Sequence, residues 1–162
     1  MERLIFEDLL QWKTSPRRKP LILNGARQVG KTWILKHFGQ MHYDNVAYIN
    51  CDKESLAAKL FEDYDTKRII QAIEAMTNTQ IVAGKTLIII DEIQEVPRGL
   101  HALKYFAENA PEQHIAVAGS LLGLLLHQGE SFPVGKVNML QMHPMTFLEF
   151  LKAIGEDKIC EQ

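Results

Sequence analysis

Short apolar runs alternate along this chain with stretches in which apolar residues recur every three or four positions. The runs lie at 20–24, 46–50, 86–91, 114–119 and 137–141 and read as strands. The periodic stretches at 2–12, 30–39, 53–62, 66–77, 98–109 and 146–154 read as helices. The alternation predicts an α/β fold, a parallel sheet covered by helices on both faces. Thr86-Leu87-Ile88-Ile89-Ile90 is apolar at consecutive positions, as expected of a strand buried on both sides. Element ends carry their own signals. Asp65 is placed to cap the helix at 66–77, along which Ile69, Ile70, Ile73 and Met76 share one side. Pro97 suits a first helical turn, where its missing N–H costs little. Thr146-Phe147-Leu148-Glu149 has capping-box spacing, and Gly155 suits the far end of that helix. The stretch from Gln128 to Lys136 is the clearest loop.

Composition narrows the class. The 162 residues suit one domain with a buried core, and an apolar content of 46% argues against disorder or a fibre. A net charge of −2 gives no global field toward nucleic acid or anionic lipid. Lys13, Arg17, Arg18 and Lys19 form one basic cluster, read as a solvated linker or else as a patch facing a nucleotide or a partner. Cys51 and Cys160 lack metal spacing, and two isolated cysteines suit a reducing interior, although sequence leaves a disulfide open. Acids near the N-terminus stand where a signal peptide would carry an apolar core. Leu121 to Leu126 is too short to span a bilayer. The expectation is a cytoplasmic protein with no membrane partner. The six histidines show no ligand spacing.

One segment carries the chemistry. Gly25-Ala26-Arg27-Gln28-Val29-Gly30-Lys31-Thr32 is the phosphate-cradling pattern G-x-x-x-x-G-K-T, set between a strand-type run and the opening of a helix at Trp33. Glycines 25 and 30 permit turns closed to bulkier residues and bring amide N–H groups to phosphate oxygens. The helix start adds unpaired N–H groups and a positive dipole end. Residues 25 to 33 are therefore the expected ATP-binding segment, with Lys31 between the β- and γ-phosphates and the Thr32 hydroxyl on Mg²⁺.

A second half follows. The strand at 86–91 ends in Asp91-Glu92, and open α/β sheets bind ligands at the carboxyl ends of their strands. If that strand lies beside the one entering the loop, Asp91 binds Mg²⁺ and Glu92 orients or polarises the attacking water. Ser120, ending the strand at 114–119, is assigned to sensing the γ-phosphate or the water, the alternative being a cap for the helix that follows. Asn50 and Asp52 approach the same cleft after the strand at 46–50, with helix capping favoured for Asp52.

These segments, together with Ile93-Gln94, Ala118-Gly119-Ser120-Leu121-Leu122-Gly123, Ser131-Phe132-Pro133-Val134-Gly135-Lys136 and Pro144-Met145-Thr146-Phe147-Leu148-Glu149-Phe150, resemble those of prokaryotic AAA-type ATPases over most of 15–155. The resemblance implies a three-layer α/β/α P-loop NTPase with a five-stranded parallel sheet in the order 5-1-4-3-2. It also implies a C-terminal domain beyond the ATPase core. It assigns catalytic roles to Lys31, Glu92 and Ser120, and metal binding to Thr32 and Asp91. The domain reading is an N-terminal helix and basic linker at 1–19, the ATPase core at 20–155, and at 156–162 the start of a linker to a further region.

Three points complete the reading. An arginine finger is worth ~10³–10⁵ in rate. Of the arginines, Arg27 sits in the loop and Arg98 is the candidate for use in trans, so slow hydrolysis by the chain alone is expected. Trp12 and Ile5 are candidates to stack on adenine, apolar docking being their commoner fate. A small-molecule kinase needs an arginine-rich lid, and 120–136 contains no arginine. A nucleotide-gated switch with little catalysis stays open. The expected partner is a protein or the chain's own C-terminal region, and nucleic acid stays open but unsupported.

Overall fold

The structure is a computed structural model that describes residues 3–26, 30–120 and 135–142. Helix α1 spans Arg3–Thr14, β1 Leu21–Asn24, α2 Lys31–His42, β2 Asn45–Asn50, α3 Ala57–Leu60 and α4 Thr66–Thr77. Strand β3 spans Thr86–Asp91, α5 Pro97–Asn109, β4 His114–Gly119 and β5 Asn138–Gln141, with a 3₁₀ turn at Ile93–Glu95. All pairings are parallel and the sheet order is β2-β3-β4-β1-β5, the expected 5-1-4-3-2 read from its other edge. The helix read at 146–154, Cys160 and the linker at 156–162 lie outside the described residues. So do Arg27, Gln28 and Val29 of the loop and most of the loop at 128–136.

Pleat parity sorts the core into two halves. Leu21, Leu23, Leu87, Ile89, Ala116 and Ala118 pack on one face with Ile5, Leu9 and Trp12 of α1 and Ile34, Leu35 and Phe38 of α2. Ile22, Ala47, Ile49, Ile88, Ile90, Ile115 and Val117 point the other way, against α3, α4 and α5. These are the two helical layers that consecutive apolar runs require. Gly39 explains itself here, because a Cβ would stand 2.5 Å from Val46 Cγ2 and 3.2 Å from Leu87 Cδ2. Its lack of a side chain lets α2 lie close over β2 and β3, at a helix-propensity cost of roughly 1 kcal/mol.

Asp65 caps α4 as read, its carboxylate accepting from the Lys67 and Arg68 amides. The helix read at 53–62 shrinks to the single turn of α3. Asn50, rather than Asp52, supplies the local acceptor: its Oδ1 takes the N–H groups of Asp52 at 2.9 Å and Lys53 at 3.2 Å. Glu54 Oε1 takes that of Leu56 at 3.2 Å. Side-chain bonds of this kind compete with helical ones and delay the helix start.

The basic cluster does not face a nucleotide. Lys13 Nζ donates to His42 O at 2.6 Å and Arg18 to Pro111 O at 2.7 Å, at the amino ends of the strands and away from the phosphate loop. Ile5 and Trp12 are buried under the sheet, and Trp12 Nε1 donates to Lys19 O at 2.6 Å, so neither is offered to a base. Beside them a hydrogen bond joins Tyr43 Oη to His114 Nδ1 at 2.6 Å. Burial, reinforced by Arg18 and Lys13, pushes the His114 pKa down to about 4. The unfolded chain then binds this proton more readily than the fold. The contribution is complete above the ordinary value of 6.5 and is lost as pH falls toward 4. Denaturant midpoints are expected to drop over that window by an equivalent of about 3 kcal/mol. His114→Gln should flatten this part of the pH dependence, and an unchanged slope would assign the loss to other groups.

Candidate functional site

The loop after β1 turns into α2 through Gly30, whose φ of 87° lies in the left-handed region that glycine enters without strain. Gly30 O accepts from Ile34 N at 3.0 Å, which starts the helix. The amides of Lys31, Thr32 and Trp33 are then first-turn groups without intrahelical acceptors. Lys31 is buried, and its Nζ donates to Gly25 O at 2.8 Å and Ala26 O at 2.7 Å. Burial lowers its pKa, and the charges of Glu92 and Asp91 oppose that shift. Trp33 is exposed on this turn, its indole stacked on the His37 ring at 4.8 Å.

Asp91 ends β3 at 2% exposure and faces the α2 side of the sheet. Its Oδ2 accepts from Thr32 Oγ1, 59 residues away in sequence, and from Tyr48 Oη at 2.7 Å. Its Oδ1 accepts from Glu92 N at 2.9 Å. As the order 5-1-4-3-2 requires, β4 lies between β3 and β1, so the condition that β3 lie directly beside β1 is not met. The first turn of α2 nevertheless reaches Asp91 through Thr32.

Glu92 has φ 54° and ψ 44°, a left-handed backbone rare for a side-chain-bearing residue and worth roughly 1–3 kcal/mol of strain. Such outliers concentrate at functional positions. Gln94 Nε2 donates to Glu92 Oε2 and lies 3.5 Å from Ser120 Oγ, joining Glu92 and Ser120 through one amide. Among the described residues Gln94 Oε1 is buried without a hydrogen-bond partner. Ser120 is buried at the end of β4, and the residues it was alternatively to cap lie outside the described set. Burial, with Asp91, Glu92 and Glu95, pushes the Cys51 thiol up to about 12, so it stays protonated beside the acids.

Arg98, the candidate for use in trans, is exposed and hydrogen-bonds within its own chain. Its Nε donates to Phe61 O and its Nη2 to Glu62 O, both at 2.8 Å, and its guanidinium lies 5.1 Å from the Tyr64 ring centroid. Two residues escaped the sequence reading. Tyr48 reads as an ordinary strand aromatic, and only parity with Asn50 hints that it shares the α2 face. Gln94 stands beside the acids in sequence, but only the 3₁₀ turn brings it back to Glu92.

A glycine-bounded loop at a helix start, a buried lysine, and a hydroxyl and carboxylate meeting across a parallel sheet define a P-loop nucleotide-binding core of the three-layer type. The AAA domain family matches residues 17–151, and the chain belongs to that family. No curated protein matches the sequence. Among solved structures, the Aeropyrum pernix Orc1 protein in complex with DNA is similar in fold, with a TM-score of 0.57 at 14% identity. That match covers 96% of this chain and 48% of the Orc1 chain, so this chain spans about half of that protein's length. A point variant of Thermotoga maritima RuvB aligns with a TM-score of 0.47 at 16% identity over 86% of this chain and 43% of its own. Among the described residues no helix is long and apolar enough to cross a membrane.

Proposed function

We propose that the chain is an ATP-binding module that hydrolyses ATP with Mg²⁺, slowly when isolated, and couples nucleotide state to a protein partner or to a C-terminal region. The carrying observation is the bond from Thr32 Oγ1 to Asp91, which sets a hydroxyl and a carboxylate on one spot beside the buried Lys31. The donor set suits the ligand: hard oxygens for Mg²⁺, with a lysine and free helix-start amides for phosphates. Magnesium, when bound, neutralises charge on the β- and γ-phosphates. Residues 25–33 hold the triphosphate through amide N–H groups, Arg27, Gln28 and Val29 included by their place in the motif. Lys31 leaves the Gly25 and Ala26 carbonyls for phosphate oxygen. Thr32 and Asp91 hold the metal, Glu92 accepts the proton of the attacking water, and Ser120 senses the γ-phosphate through Gln94. The core is taken as 20–155 and the location as cytoplasmic.

The commitment of Arg98 to two carbonyls also supports a second reading, a nucleotide-gated switch with little catalysis. Both readings expect Mg²⁺-dependent ATP binding by calorimetry. The first expects turnover below about 10⁻² s⁻¹, the range of P-loop enzymes lacking a supplied finger. Turnover above roughly 1 s⁻¹ by the monomer would contradict the slow-module proposal, and no ATP binding at all would remove both readings.

A further inference from the structure

Beyond the residues with assigned roles, Asp91 is held by one more side chain. We infer that Tyr48 is a positioning residue that sets the Asp91 carboxylate for a divalent metal, an inference that rests on the ATP·Mg²⁺ reading above.

Asp91 is buried, and no lysine or arginine pairs with it among the described residues; the near cation, Lys31, donates to loop carbonyls instead. A buried carboxylate without a cation is stable only when its oxygens are hydrogen-bonded. Three donors meet that need: the Glu92 amide on Oδ1, and the Thr32 and Tyr48 hydroxyls on Oδ2. They are not equivalent. Glu92 and Thr32 both belong to the reacting machinery, and Thr32 must offer its oxygen to the metal. The donor with no other duty is Tyr48, which can hold the carboxylate's orientation while Thr32 turns to the ion.

The phenol is itself fixed. Lys36 Nζ sits 3.8 Å from the Tyr48 ring centroid, and Asn50 Nδ2 lies 3.4 Å from its oxygen. Lys36 follows Thr32 by one helical turn, so α2 touches Asp91 with one residue and Tyr48 with the next on the same face. Residues supporting a metal ligand in this way typically change metal affinity ~10–100-fold when removed.

The test is calorimetric titration of Mg²⁺ into the ATP complexes of the native chain and Tyr48→Phe, alongside ATP titration in chelator. The inference expects ATP affinity without metal to stay the same and the Mg²⁺ dissociation constant to rise at least ~10-fold. A structural role alone would weaken both titrations together or neither. If the native chain binds ATP with Mg²⁺ dependence and Tyr48→Phe shows an unchanged or tighter Mg²⁺ constant, the inference fails and the site reading survives. If the native chain shows no Mg²⁺ dependence, both fall. Should Tyr48→Phe not fold, ¹³Cζ-tyrosine spectra of the native chain decide. One of the four tyrosine signals should move when Mg²⁺ joins the ATP complex but not with ATP alone, and four unmoved signals overturn the inference.

Discussion

Glu92→Gln is expected to bind ATP as tightly as the native chain while its hydrolysis falls ~10²–10⁴-fold, the usual contribution of a positioned general base. The substitution keeps shape and length, and an amide oxygen at position 92 still accepts from Gln94 Nε2. It leaves the left-handed backbone at this residue as strained as before. What disappears is the ability to take a proton from water. Calorimetry for binding and phosphate release for turnover check the two halves separately. Retained binding with abolished turnover supports the ATPase. Unchanged turnover removes Glu92 from the chemistry and favours the switch reading.

Lys31→Ala should weaken ATP binding by roughly 10²–10⁴-fold in either reading. Hydrogen bonds to charged groups are worth ~1.5–3 kcal/mol each, and the ammonium is expected to make two to phosphate oxygens. Burial lowers the Lys31 pKa, but Asp91 and Glu92 favour its charged form, so the side chain offers a cation in a sheltered place. The loss should be one of binding rather than of fold. Of the two carbonyls that Lys31 now satisfies, that of Ala26 belongs to an exposed residue, where water can replace the ammonium, and that of Gly25 to a buried one. A near-native melting temperature together with lost ATP affinity is the expected pair of results. Native-like ATP affinity would show that the triphosphate does not lie against this loop. Lys31→Arg should not restore binding, because a planar fork does not fill the seat of a compact ammonium.

Much of this arrangement was legible in residues close together in the chain. The strand at 86–91 announced itself by four consecutive apolar positions, Leu87 to Ile90, because burial on both faces removes the usual alternation. Asp65 and Pro97 marked helix starts through local chemistry, and the structure has both in those roles. The phosphate loop was legible for the same reason: its turn and its helix start are made within eight residues. Where distant groups compete for one side chain, the reading failed. Nothing in the segment around Arg98 announces its bonds to the carbonyls of residues 61 and 62. Asp52 looked like a cap until Asn50 took the amides first.

By itself the sequence determined the phosphate loop, the five strands and the acids at the end of the third, since each depends on propensity and pleat parity over a few residues. Only the tertiary structure decided that Thr32 and Tyr48 share one oxygen of Asp91, and that Gln94 ties Glu92 toward Ser120. The physical reason is register. Parallel pairing sets Asn50 beside Asp91, which carries Tyr48 to the carboxylate along the same face. A slip of one residue would turn Tyr48 to the opposite layer, and nothing local to either segment fixes that alignment.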